Sequence, residues 1–513
     1  MFDLFKSEFR KLGTPADQVR LRRFPGLPTI DGSAHAMFEN LPRGIPIARL
    51  RQDQERLNLF MSPGQLLGHR WKRGQLVIGK LGDTFLGHLD DRPIMSIAGT
   101  RAGKTSTILE PNLYMYGASM LVLDPKGDLA RTVRYRRAIG QDGYVLDPFG
   151  QTGERSASYN PLDELDPNDA AIIDDVLSIA NAIVPEGGEG NAKFFNDSAR
   201  TVLVGLILLA LTFPKAERNL VTVRELLSLS YGPLVEAARI AARTELAEAS
   251  DEARHKHFSM NGHALQLLFR KMIMVGDRFG GVVAGIGRRL QEAHPGERAS
   301  TLSTALVHTD FLDSLLLRKT LLRSDFSLAT LRGNKPATIF LCLPVGRMDQ
   351  HNRWLRLIVQ MACTIMERLG TYPIGKPPVI FMLEEFPVLG TLKIAESAAA
   401  YLPSFGIVPW YIVQDVNQLQ RNYRAWSSFL GNAGLVQTFA NGDLETLEYV
   451  MKRLGKLITL SELQLAFARE QHDQLALWKG LPAAAAQRLS HDDVARIREK
   501  ADGICARSDY GRL

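Results

Sequence analysis

Eight residues, Ala98-Gly99-Thr100-Arg101-Ala102-Gly103-Lys104-Thr105, have the types and spacing of a phosphate cradle. Pro93 to Ile97 before them reads as a short buried strand, and a helix is expected from Ser106. Strand, glycine-bearing loop, Lys-Thr and helix is the order a P-loop requires. Backbone N–H groups of Thr100 to Thr105 are expected to wrap a β-phosphate, helped by the positive end of the helix. Lys104 would reach the β- and γ-phosphates of ATP, and the Thr105 hydroxyl would take one Mg²⁺ position. The candidate nucleotide-binding set is therefore Gly99, Thr100, Arg101, Ala102, Gly103, Lys104, Thr105 and Ser106. Ala98 stands where this pattern usually opens with Gly, and Gly99 supplies the tight turn one residue later.

Two further stretches supply the chemistry that a bound triphosphate needs. The apolar run Pro378 to Leu383 delivers Glu384 and Glu385 at its end. In P-loop ATPases such a strand is expected beside the P-loop strand. Its first carboxylate (Glu384) holds Mg²⁺, and its second (Glu385) orients or deprotonates the attacking water. Pro409 to Val413 reads as another strand, tipped by Gln414, which is placed to hydrogen-bond a γ-phosphate or the lytic water. The order carries more weight than any one residue: cradle, acidic strand, Gln-tipped strand.

The elements that must position these groups follow from hydrophobic patterning. Short apolar runs (Leu76–Ile78, Thr84–Leu86, Ser119–Leu123, Gly143–Leu146, Thr338–Leu343, Leu435–Phe439) alternate with helical stretches, including Leu129–Ile139 and Arg353–Leu369. That alternation argues for an α/β fold with a parallel sheet covered on both faces. Asp124 and Asp147 follow strand ends, where α/β sites are built and where Asp-Pro turns also simply stop strands. From about Asn160 the strand signals cease. Helical periodicity runs through Asp169–Val184, Asn196–Phe213, Val223–Leu229, Leu234–Ala249, Ala264–Met274 and Val282–Glu292, an all-helical insertion ending near Asp325.

The chain of 513 residues, 45% hydrophobic and 23% charged, is an ordinary globular composition. Three scattered cysteines exclude a disulfide framework or zinc site and suit a reducing cytoplasm. The longest apolar run, Thr201 to Phe213, is shorter than the roughly 20 residues of a membrane span and reads as a core helix. Residues 1–80 carry 14 Lys/Arg against 7 Asp/Glu, the whole of the net charge of +7. Such a face suits DNA phosphates, anionic lipid or an acidic partner. The expected organisation is a basic loop-rich region (1–75), a nucleotide-binding domain in two parts (76–160 and 326–455), the helical insertion (161–325) and a helical tail (456–513).

Several blocks in this order resemble the type IV secretion coupling proteins, the TraG/TraD-like ATPases of conjugation. They are Thr100–Thr105, Leu123–Asp128, Tyr159–Leu162, Leu383–Gly390, Phe405–Ile407, Gln414–Leu419 and Asn432–Asp443. The resemblance implies a RecA-like P-loop nucleotide-binding domain with an inserted all-α domain, using ATP and Mg²⁺ and acting as a homo-hexamer. It implies recruitment and translocation of a relaxase-bound single DNA strand, or of effector proteins, to a secretion channel, with sequence-independent DNA contacts. Inner-membrane secretion components would be partners of a cytoplasmic, membrane-peripheral protein.

Three departures accompany the resemblance. Family members typically carry an N-terminal transmembrane hairpin, which this sequence lacks, so the expectation is either a truncated, soluble branch or docking on a separate membrane subunit through the basic first 80 residues. The acidic strand ordinarily ends Asp-Glu, and Glu384 is one methylene longer, implying altered metal geometry and slower hydrolysis. Some relatives place a trans-acting arginine before the Gln-tipped strand. Ala398 to Phe405 contains no basic residue, leaving Arg421, Arg424 and Arg453 as candidates. The alternative reading is a nucleotide-binding receptor with weak or no ATPase activity that sorts protein effectors.

Overall fold

A computed structural model describes residues 68–184, 190–248, 260–392, 394–396, 401–439 and 441–454. Residues 1–67, which hold most of the basic N-terminal region, residues 185–189, 398–400, Cys505 and the expected tail lie outside the described residues.

A hairpin of β1 (Leu76–Leu81) and β2 (Thr84–His88) forms a two-stranded antiparallel sheet of its own. Then come β3 (Ile94–Ala98), the cradle, a π-helical turn (Thr105–Leu109) running into α1 (Glu110–Met115), and β4 (Met120–Leu123). The basic stretch after β4 is a 3-10 turn (Leu129–Thr132) continued by α2 (Val133–Ala138), and β5 (Asp142–Leu146) follows. Eight helices come next: α3 (Ile172–Ile183), α4 (Asn191–Ala210), α5 (Leu220–Leu227), α6 (Gly232–Glu248), α7 (Met260–Met274), α8 (Val282–Glu292), α9 (Pro295–His308) and α10 (Leu315–Leu321). Periodicity locates the first six; α9 and α10 are additional. The chain returns through β6 (Ala337–Leu341), α11 (Met348–Arg368), β7 (Val379–Leu383) and β8 (Ile407–Val413). It continues with α12 (Val416–Asn422), α13 (Trp426–Gly431), β9 (Leu435–Phe439) and α14 (Leu444–Leu454).

The main sheet has seven strands in the order β5-β6-β4-β7-β8-β3-β9, every pair parallel. This is the RecA-like α/β architecture with helices inserted between its halves. Strand residues alternate between two cores, as the period of 2 demands. Met95, Ile97, Leu121, Leu123, Phe381, Leu383, Tyr411 and Val413 join α3 to α11 in one core. Ile94, Met120, Val122, Ile380, Met382, Trp410 and Ile412 pack with Leu109, Leu113 and Val133 in the other. Both faces are covered, so the strands read as unbroken apolar runs.

One expectation is overturned. The acidic strand β7 does not lie beside the P-loop strand β3; β8 sits between them, Trp410 pairing with Met382 on one side and Ile94 on the other. All seven residues of β8 are buried, so the strand needs a neighbour on each edge as well as cover on each face. It also begins at Ile407, two residues before the expected start.

Two polar groups in the apolar layers are satisfied locally. The Trp410 indole donates to Ser96 Oγ at 2.8 Å, Ser96 Oγ donates to Gln437 Oε1 at 2.8 Å, and Gln437 Nε2 donates to the Ile78 carbonyl at 2.9 Å. This chain ties β8, β3 and β9 to the hairpin. Arg136, fully buried on α2, donates to the carbonyls of Leu113, Tyr116 and Ala118 and to Thr338 Oγ1. A cation suits these carbonyls at and beyond the end of α1. No helix among the described residues is long and apolar enough to cross a membrane.

Candidate nucleotide site at the carboxyl edge of the sheet

β3, β7 and β8 run parallel, so their carboxyl ends deliver the cradle, the two glutamates and Gln414 to one edge. The cradle is shaped by backbone. Arg101 (φ 62°) and Gly103 (φ 85°) are both left-handed, and the Ala102 N–H closes a turn on the Gly99 carbonyl. Glycine takes that conformation freely, whereas Arg101 holds it at a steric cost of about 1 kcal/mol. The hydroxyls of Ser106 and Thr107 fold back onto the Gly103 carbonyl at 3.2 and 2.8 Å, which fixes the helix start.

Lys104 is buried and its Nζ lies 3.3 Å from Glu385 Oε1. Gln414 Nε2 donates to both Glu385 oxygens at 3.0 Å, and Thr100 Oγ1 donates to Gln414 Oε1 at 3.4 Å. Thr100, Lys104, Glu385 and Gln414 are thus one connected group. The intercalation of β8 is what makes this possible, because it sets Gln414 between the cradle and the acidic strand. Glu385 itself is left-handed (φ 55°) at the turn into a 3-10 segment, Phe386–Leu389. A non-glycine residue there is strained by about 1–3 kcal/mol, a pattern that clusters at functional sites.

Glu384 differs from its neighbour. It is almost wholly buried, and its Oε1 has no hydrogen-bond partner among the described residues. Burial pushes its carboxyl up to about 7; Asp124 and Glu385 push the same way, against the pull of Lys104 and Lys126. Asp124, at the end of β4, is raised to about 6 by burial, although its oxygens accept the backbone N–H groups of Gly127 at 2.9 Å and Ala130 at 2.7 Å. Asp124 therefore builds the turn after its strand, as does Asp147, whose Oδ2 accepts both the N–H and the hydroxyl of Thr152 at 2.8 Å.

Thr105 opens the helix, and no hydrogen bond joins it to Glu384 among the described residues. Patterning missed the groups that hold Gln414. Asn441 Nδ2 donates to its carbonyl at 2.7 Å, and Gln418 Oε1 accepts its N–H at 3.0 Å. Asp443 Oδ2 then caps α14 through the Thr446 N–H and hydroxyl. The Asn-Gly-Asp run at 441–443 signals a turn, but its link to residue 414 is tertiary. Of the candidate trans-acting arginines, Arg421 and Arg424 are exposed and Arg453 bonds the Tyr449 hydroxyl at 2.7 Å.

A family model described as type IV secretory system conjugative DNA transfer matches residues 50–470. The conjugal transfer protein TraG of Escherichia coli is 25% identical over 392 residues, covering 74% of this chain and 57% of that protein. VirD4 of Agrobacterium fabrum is 26% identical over 408 residues, covering 78% of this chain and 54% of its own. The match spans only about half the length of these curated relatives. Among solved structures, the conjugative coupling protein TrwBdeltaN70 in its trigonal form with sulphate superposes with a TM-score of 0.54 at 16% identity, covering 77% of this chain and 82% of that one. TrwB in complex with the GTP analogue GDPNP gives 0.52 at 17% identity, covering 77% and 81%. TrwB with ADP and Mg²⁺ gives 0.50 at 16%, covering 77% and 82%.

Proposed function

We propose, from the premise that this chain belongs to the family of type IV secretory system conjugative DNA transfer proteins, that it is an ATP-hydrolysing coupling protein. In this reading it recruits a relaxase-bound DNA strand, or protein substrates, and drives it toward a secretion channel. The observation that carries the reading is the convergence of Lys104, Glu385 and Gln414 within hydrogen-bonding distance at one sheet edge.

The residues fit a magnesium-bound triphosphate. The cradle turns on two left-handed residues, a buried lysine stands at its end, and Glu384 offers an orphaned carboxylate oxygen. When bound, Mg·ATP supplies the cleavable phosphoanhydride and charge neutralisation. The cradle backbone and Lys104 orient the phosphates, with Thr105 and Glu384 as the metal-side ligands. Lys104 must release Glu385 to reach phosphate, which frees that carboxylate to hold the attacking water and take its proton. Gln414 keeps Glu385 aimed once the lysine has left, and it reports the phosphate end through Thr100. Residues 76–160 and 326–455 serve as the nucleotide-binding domain and 161–325 as the helical insertion. The protein works as a homo-hexamer at the cytoplasmic side of the inner membrane, with secretion components as partners.

The test is ATP turnover with and without single-stranded DNA, for the wild-type chain and Lys104→Ala. Turnover that DNA stimulates and the substitution abolishes is the expected result. Nucleotide binding without turnover at any protein concentration would instead support a receptor that sorts protein substrates, a reading favoured by the buried, weakly acidic Glu384.

A further inference from the structure

A second group of charged side chains lies where the helical insertion meets the start of α11. Arg200, on α4, donates its Nη1 to Asp197 Oδ1 at 2.9 Å. Its Nε and Nη2 are sealed from solvent, with no acceptor among the described residues. His308, at the end of α9, contacts Asn196 Oδ1 through Nε2 at 2.9 Å, and its Nδ1 is buried and equally without a partner. Arg353, near the start of α11, meets Asp310 at 3.3 Å. Arg356 is committed to the carbonyls of Ala182 and Ile183 at the end of α3, but its charge still reaches His308.

Burial, then Arg353, Arg356 and Arg200, hold the His308 imidazole down to about 4, against Asp310, which pulls the other way. Among the described residues, three guanidiniums are thus paired with two carboxylates, Asp197 and Asp310, each at least half exposed. A buried cationic N–H without an acceptor is unfavourable and rare in native proteins. The Nε/Nη2 edge of a guanidinium is the fork that takes two oxygens of one oxyanion. The excess positive charge around that edge favours a dianion over a carboxylate.

We propose that Arg200, with Arg353, forms a phosphate-binding site at the α4–α9–α11 junction, separate from the P-loop. Arg353 lies on α11, the helix that follows β6, and β6 and β3 are four strand positions apart, about 19 Å at ordinary strand spacing. Arg200 and Arg353 side chains are 12% and 22% exposed, so the junction lies just under the surface, and an anion reaches the sealed Nε/Nη2 edge only when the packing over it opens. The phosphate belongs to a nucleic-acid strand or to a small phosphate compound. The inference stands apart from the nucleotide reading, because it uses none of the same residues.

The experiment places inorganic phosphate against chloride at fixed ionic strength and follows thermal unfolding in a Lys104→Ala background, which disables the cradle. Phosphate raises the midpoint, and adding Arg200→Gln or Arg353→Gln weakens the apparent phosphate affinity roughly tenfold or more. If Arg200→Gln does not fold, Arg200→Lys keeps the charge without the fork and reads as an intermediate loss. Oligothymidylate binding then assigns the source. A salt dependence that falls by about 0.7 in slope on Arg200→Gln marks a strand phosphate. An unchanged slope with the phosphate effect still lost marks a small compound. No phosphate-specific stabilisation, or one that survives Arg200→Gln, overturns the proposal. So does stabilisation seen only after Glu186→Gln/Glu189→Gln, two acids in the stretch joining α3 to α4, since the site would then be filled from within.

Discussion

Glu384→Gln is expected to stabilise the nucleotide-free protein while abolishing its hydrolysis. The Glu384 carboxyl is raised from its ordinary 4.5 to about 7, chiefly because burial disfavours its charged form. The folded state therefore binds the proton more tightly than the unfolded state does. That contribution is fully present below about pH 4.5, is lost as pH rises through about 7, and is flat above it. At about 1.4 kcal/mol for each tenfold change in proton affinity, the loss is about 3 kcal/mol. The Gln variant has no proton to lose. Urea unfolding without nucleotide or Mg²⁺ should thus find it about 3 kcal/mol more stable than wild type near pH 8 and about equal to it near pH 4. Asp124, raised to about 6, adds a slope of its own in both proteins, and its interaction with the Glu384 charge is part of the difference between them. Turnover should be lost in the same variant, because a neutral amide is a poor magnesium ligand. Parallel pH profiles for the two proteins, or a variant less stable than wild type at pH 8, would refute the account of this carboxylate as a buried group held ready for a cation.

Other outcomes follow from the same geometry. Gln414→Ala should lower turnover by roughly 10- to 100-fold with nucleotide affinity nearly kept, since it removes the group that aims Glu385; stopped-flow binding beside steady-state turnover separates the two. Asn441→Ala, which removes hydrogen bonds to the Gln414 carbonyl and from the Asp443 N–H, should give a weaker loss of the same kind. Gly103→Ala forces a side chain into φ 85° and should weaken nucleotide binding through about 1–2 kcal/mol of strain, read by fluorescent-nucleotide titration. Arg136→Leu leaves three carbonyls and Thr338 without their donor and should destabilise the fold by about 3 kcal/mol in chemical denaturation.

The sequence by itself determined the parts and their order. The apolar runs fix which residues are strands, and their period of 2 fixes which side chains share a face. The breaks after Ala98, Leu383 and Val413 mark where polar groups emerge at the sheet edge. Helical periodicity separated 161–325 from the strands, because a stripe repeating every three to four residues cannot be satisfied in a strand. The tertiary structure alone decided which strands are neighbours. Parallel strands buried on both faces have nearly interchangeable apolar sequences, so nothing local says that β8 enters between β7 and β3. That placement joins Gln414 to Glu385 and Lys104. Burial depth is likewise a property of the assembled layers: it turns two adjacent glutamates into one engaged carboxylate and one orphaned, weakly acidic carboxyl. Arg200, His308 and Arg353 meet across more than a hundred residues of chain, and no spacing within any one segment announces their convergence.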